Sequence, residues 1–148
     1  MKICINLNGE IIPGIVPKSG DFLAECWNAS SRYDMAVDSE DGFIITIIGE
    51  NNDRIGYCSF FLGIATTEKY VLISLQIDYV FIKEKMRGKK KSSLMIPFLA
   101  TEIQSCYQRY QKEYCHLEAI FNDNSHYVSD EGRSFRDKLF ACIAGIET

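Results

Sequence analysis

The stretch Ile82–Gln104, "IKEKMRGKKKSSLMIPFLATEIQ", decides how this chain is read. Three consecutive lysines, Lys89 to Lys91, stand just ahead of an apolar stripe of Met95, Leu99, Ile103, Cys106 and Tyr110. That three- and four-residue spacing predicts a helix from about Ser93 to Lys112. A helix N-terminus carries roughly half a positive charge, so bases crowded against it are repelled. A bound anion removes the conflict, because dipole and lysines then face the same negative group. Upstream, Val71, Ile73, Leu75, Ile77, Tyr79 and Phe81 alternate with a face that includes Ser74, Gln76 and Asp78. This predicts a long strand with one apolar and one mixed face. A lysine triplet is ordinarily a solvated surface run. Between a strand and an amphipathic helix, with a glycine in the turn, it points instead to a phosphate-binding loop.

The whole chain bounds what that loop serves. It has 148 residues, 47% hydrophobic and 24% charged, which fits one globular domain spanning 1–148 and argues against disorder. Net charge is −4, yet Lys83–Lys91 holds six bases against the single acid Glu84. So local a patch in an acidic chain suits a small anionic ligand better than a nucleic-acid footprint, which spreads over a face. Six cysteines occur without any C-x-x-C pair, and the two histidines, His116 and His126, are isolated. No metal site is expected. No secretory leader and no apolar run long enough for a bilayer is visible, and the expected location is the cytoplasm.

Along the chain, Lys2–Leu7 reads as a short strand and Ser19–Ser30 as a helix, with Phe22, Leu23, Cys26 and Trp27 at helical spacing and Phe22 and Trp27 read as core. A second short helix is expected near Arg32–Ala36. "GFIITIIG" and "RIGYCSFFLGI" form a hairpin about the turn "ENND". Pro97 falls inside the expected helix, where it removes a backbone bond. Tyr114–Phe121 alternates as a strand, and a last helix covers roughly Arg133–Ile143. On that strand, neighbours Cys115 and His116 point to opposite faces and so form no catalytic pair. The fold class is α+β.

The run "IKEKMRGKKKSSLM" resembles the acyl-CoA signature of the GNAT superfamily of N-acetyltransferases, V-x-P-x-x-R-G-x-G-x-G/A. Ile82 matches the Val, whose backbone in that family pairs with the pantetheine arm. Arg87 and Gly88 match the "RG"; Glu84 replaces the Pro, and Lys90 and Ser92 stand where the family has Gly and Gly or Ala. With Lys90 for glycine, close approach of the backbone is compatible with a negative φ at that residue. The element order also resembles the family over nearly the whole chain. The resemblance implies a mixed, mostly antiparallel twisted sheet flanked by helices, with the family's final strands missing or altered here. It implies acetyl-CoA or CoA as ligand, with Ile82, Arg87, Gly88, Lys89, Lys90, Lys91, Ser92, Ser93 and Asn122 as cofactor contacts. The family's fourth-helix tyrosine, which protonates the leaving thiolate, is replaced by Phe135 or Arg136.

Two functions therefore stand side by side. One is acetyl transfer from acetyl-CoA to an amine acceptor by direct attack, with Asp78 as general base and Ser74 and Gln76 holding water. The other is a non-catalytic module that binds CoA or another phosphorylated ligand, which the absent tyrosine favours. A nucleic-acid use of the basic turn is the weakest reading, given the acidic remainder. A homodimer is expected through the fifth strand or the apolar C-terminal run "KLFACIAGIET".

Overall fold

The computed structural model describes residues 1–15, 22 and 25–143. Five strands, β1 (Lys2–Asn6), β2 (Phe43–Ile48), β3 (Arg54–Thr66), β4 (Tyr70–Ile82) and β5 (Glu118–Asp123), form one sheet in the order β1-β2-β3-β4-β5. Three helices accompany them: α1 (Trp27–Asp38), α2 (Ile96–Glu113) and α3 (Asp130–Cys142). β1 runs parallel to β2, β2 antiparallel to β3, and β4 parallel to β5. The sheet is thus mixed, with parallel pairs at both ends, where α1 and α2 supply the crossovers that parallel pairing requires. Two compact units divide the chain.

The first unit comprises Met1–Phe60 and Asp78–Met95. Phe22, Ala29, Tyr33, Ile44, Tyr57 and Phe81 make a buried cluster in it. Phe22 meets Tyr33 and Phe81 edge-on at 5.4 and 5.1 Å, the geometry that ring quadrupoles favour. The buried Tyr57 hydroxyl donates to the Ala29 carbonyl at 2.8 Å. Gly56 is required where β3 meets β4, since a Cβ there would stand 2.7 Å from the Phe81 carbonyl oxygen. The β2–β3 turn uses left-handed Asn51 and Asn52, and a register shift follows Ile47. One continuous helix covers both segments expected from Trp27 to Ala36; the part of the expectation at residues 19–21, 23 and 24 lies outside the described residues. Phe22 is core as expected, whereas Trp27 is 69% exposed. The correction has a simple cause: α1 buries Ala29, Ser30 and Tyr33, and Trp27 is its first residue, off that face.

The second unit comprises Phe61–Ile77 and 96–148. Its core draws Val71, Ile73 and Leu75 from β4, Leu99, Ile103 and Tyr107 from α2, and Ala119 and Phe121 from β5. The Tyr107 hydroxyl donates to the Ala119 carbonyl at 3.0 Å. α2 begins at Ile96, so Pro97 lies in its first turn, where no N–H partner is lost and no bend is needed. The strand expected from Tyr114 starts only at Glu118, because α2 persists to Glu113 and Leu117 N–H closes a turn on Tyr114 at 2.9 Å. Cys115 and His116 are exposed residues of that turn, so the opposite-face argument does not apply to them. α3 starts one turn before the expected Arg133, its end capped by Ser129 Oγ, which accepts from Gly132 N–H at 3.0 Å. Among the described residues no strand follows α3. None of the described helices is long and apolar enough to cross a membrane.

Candidate functional site

The connection from β4 to α2 is built almost entirely from turns. A 3-10 turn at Glu84–Met86 ends at Arg87, whose N–H donates to Glu84 at 3.1 Å. Gly88 then takes φ +76°, Lys90 takes φ +57°, and Lys91 is right-handed helical at φ −67°, ψ −35°. A second 3-10 turn, Ser92–Leu94, leads to Met95 and α2, with Ser93, Leu94 and Met95 N–H bonded back to Lys90, Lys91 and Ser92. Among the described residues, the backbone N–H groups from Gly88 to Ser92 have no protein acceptor. A left-handed residue followed by a right-handed one turns successive N–H groups toward a common point, forming a nest for anions. Lys89, Lys90 and Lys91 surround that point in the chain. Lys90 does not take the negative φ with which close backbone approach is compatible. It is left-handed, at a cost of roughly 1–2 kcal/mol for a residue with a Cβ.

Arg87 does not reach forward into this loop. Its Nε donates to the Ile82 carbonyl at 2.7 Å, and its guanidinium lies 5.3 Å from the Phe81 ring centroid. The strand end is further held by Lys83 N–H on the Ile55 carbonyl (2.8 Å) and by Glu84 N–H on Glu25 Oε2 (3.1 Å). Lys83 Nζ stands 5.7 Å from the Phe22 ring.

Asp78 sits four residues before Ile82 on β4 and pairs with Arg32 of α1, Nη1 to Oδ1 at 2.8 Å. The carboxylate is 22% exposed, and its Oδ2 has no partner among the described residues. Ser74 and Gln76, expected to hold water beside it, belong to the other unit, and Gln76 is exposed.

Sequence reasoning missed the pair next to Asp78. The Tyr79 hydroxyl is 3.7 Å from the Cys26 thiol, and Cys26 is the N-cap residue of α1. Its sulfur closes no capping hydrogen bond, but the Ala29 N–H at the helix start, then the Tyr79 hydroxyl, draw its pKa below the ordinary thiol value. Burial, foremost, and the same contact with Cys26 hold the Tyr79 hydroxyl above its usual range. Fifty-three positions separate the two residues, and no local pattern could have joined them.

In the second unit, Asn122 ends up on β5 with its side-chain amide donating to Asn124 Oδ1 at 2.8 Å. Beyond the β4–β5 ladder, which stops at Leu75 and Asp123, Ser125 Oγ accepts the Ile77 N–H at 2.8 Å. Of the two α3 residues aligned with the family tyrosine, Phe135 is 5% exposed and Arg136 pairs with Asp137 while lying over Tyr127. Neither offers an acidic hydroxyl. Among the described residues no group of three His, Cys, Asp or Glu side chains stands close enough to hold a metal.

This arrangement of a mixed five-stranded sheet, three helices and a basic β4–α2 turn is the α+β fold that the resemblance implies. Among solved structures, the KacTA–DNA complex is similar at 11% identity and TM-score 0.50, over 86% of this chain and 74% of that one. A ribosomal-protein-alanine N-acetyltransferase from Brucella melitensis biovar Abortus 2308 is similar at 16% identity and TM-score 0.49, over 80% and 79%. The tetramutant of the BH1408 protein from Bacillus halodurans follows at 16% identity and TM-score 0.43, over 75% of this chain and 66% of that one. The chain thus spans just under two thirds of the BH1408 protein's length. At such identities the likeness is one of fold. No family model matches the sequence, and no curated protein matches it.

Proposed function

We propose that the chain is an acyl-CoA-dependent N-acetyltransferase whose Gly88–Ser92 turn binds the pyrophosphate of acetyl-CoA. The observation that carries this reading is the left-handed Lys90 followed by right-handed Lys91, among backbone N–H groups with no acceptor among the described residues. A strained non-glycine residue in an anion nest is most simply maintained for a ligand. Lys89 and Lys91 add positive charge to the same turn. The acceptor amine attacks the thioester carbonyl; the C–N bond forms, the C–S bond breaks, and CoA leaves as thiolate. Asp78 takes the amine proton on Oδ2, while Arg32 holds Oδ1 and fixes the carboxylate's orientation.

A second reading has its own support: a GNAT-like module that binds CoA or another phosphorylated ligand without chemistry. Phe135, a buried core residue, and Arg136 are the two candidates for the tyrosine position, and neither is a source of a proton for the thiolate. Following free thiol with acetyl-CoA and a panel of amines distinguishes the two. Acceptor-dependent release that falls about 10²–10⁴-fold in Asp78→Asn, with acetyl-CoA affinity retained, supports the enzyme with Asp78 as base. Release insensitive to that change removes Asp78 from the chemistry. No release with any amine, despite CoA binding, supports the module.

A further inference from the structure

We propose that the outer half of β3, Phe61–Thr66, is a self-association edge that pairs antiparallel with the same segment of a second copy. β2 pairs with β3 only as far as Phe43 opposite Phe60. The next six residues, "FLGIAT", continue as strand beyond the β2 pairing, with β4 as their sole neighbour among the described strands. Phe61 and Ile64 are 38% and 40% exposed, and the space around the Gly63 Cα is open. Thr67 N–H bonds Tyr70 at the β3–β4 turn, so the odd positions of this segment direct their backbone groups to β4. By strand alternation Leu62, Ile64 and Thr66 direct theirs to the open side.

Native sheets guard such an edge with charge, proline, a bulge or brevity. Here the guards are missing: from Ile55 to Thr67 there is no charged residue and no proline. That neutrality is what selects a second copy as the occupant. A two-fold pair centred on Ile64 sets Ile64 against Ile64 and Leu62 against Thr66, all compatible cross-strand neighbours, with about six inter-chain backbone hydrogen bonds. The β5 edge lacks this property. Antiparallel self-pairing of β5 would bring Glu118 against Asp123 of the copy, and like charges directly opposite repel. In the described part of the C-terminal run, Leu139 is fully buried in its own chain and Phe140 packs edge-on against Phe121 at 6.2 Å.

A strand pair of this length buries less than the roughly 1,600 Å² of a standard interface, so the dimer belongs to the micromolar range. Sedimentation velocity from about 5 to about 200 µM tests it, alongside amide hydrogen exchange at the two extremes. The expected result is a rise to dimer mass, with Leu62, Ile64 and Thr66 amides gaining protection as concentration increases. Phe61, Gly63 and Ala65 are protected at every concentration by the β4 ladder. Ile64→Lys should abolish the dimer, and Ile64→Pro should do the same by deleting an edge donor that β4 does not use. The exchange pattern of the unaltered protein decides the matter even where a variant fails to fold. A monomer at the highest concentration, or a dimer whose edge amides gain no protection, overturns the proposal.

Discussion

The Nε of Arg87 donates to the Ile82 carbonyl at 2.7 Å, so the arginine of the basic turn is spent on the end of its own strand. The resemblance assigns the Ile82 backbone to the pantetheine arm. An arginine lying over Phe81 and bonded to Ile82 braces the strand end from which the Gly88–Ser92 turn is projected. Arg87→Ala should therefore lower stability by about 0.5–1 kcal/mol, the range of an exposed charge-assisted contact with a ring stack. Arg87→Lys should not restore it, because lysine lacks the planar N–H that reaches back along the strand. Urea midpoints measure both; an unchanged midpoint in the alanine variant would show that the brace does not form in solution.

Lys90 gives a prediction of opposite sign. Its φ of +57° is costly for a residue with a Cβ, and glycine removes that cost. Lys90→Gly should stabilise the ligand-free protein by roughly 1 kcal/mol, visible as a higher urea midpoint. A loss of stability would show that Lys90 is not left-handed and would dissolve the nest.

Cys26 should be the readily alkylated thiol of the first unit. The thiolate is the reactive form, and the Ala29 N–H and Tyr79 hydroxyl lower its pKa, so its alkylation rate should level off at a lower pH than that of an ordinary thiol. Burial pushes Cys58 and Cys4 the other way, and both should resist reagent until the protein unfolds. In Tyr79→Phe the midpoint of the Cys26 rate profile should move up. Peptide mapping after brief iodoacetamide treatment checks this, and equal labelling of Cys26 and Cys58 at neutral pH would contradict it.

Much of this architecture was legible in the sequence, for reasons that vary with the element. β4 declared itself because its apolar residues alternate over a length that only a strand explains, and the basic turn and α2 follow within a few residues. Pro97, Trp27 and Tyr114 misled because each marks a helix or strand boundary, where one turn's displacement changes a residue's meaning. Pro97 is harmless once α2 starts at Ile96, and the alternation from Tyr114 is overridden by α2 persisting to Glu113. Contacts across long separations left no local trace. Asp78 is a candidate base from its place on the strand, but Arg32, 46 positions away, could not be foreseen as its partner. The left-handed Lys90 was likewise hidden, since side-chain identity argues against a conformation that the surrounding turn imposes.

The Arg32–Asp78 pair is open to water on the arginine side, at 49% exposure. Its contribution to stability should be small, below about 1 kcal/mol, and reduced by salt. Arg32→Gln should thus leave the urea midpoint nearly unchanged while lowering acceptor-dependent turnover through misplacement of the Asp78 carboxylate. A large loss of stability with normal turnover would make the pair structural.

The central claim is that the Gly88–Ser92 turn holds a pyrophosphate, and isothermal titration of acetyl-CoA into the purified protein tests it most directly. The protein should bind acetyl-CoA, and the double variant Lys89→Glu, Lys91→Glu should lose that binding while keeping its melting temperature without ligand, since both side chains stand at an exposed or half-buried turn. Unaltered affinity in the double variant, or no heat of binding in the unaltered protein, would contradict the assignment of this turn as the acyl-CoA site.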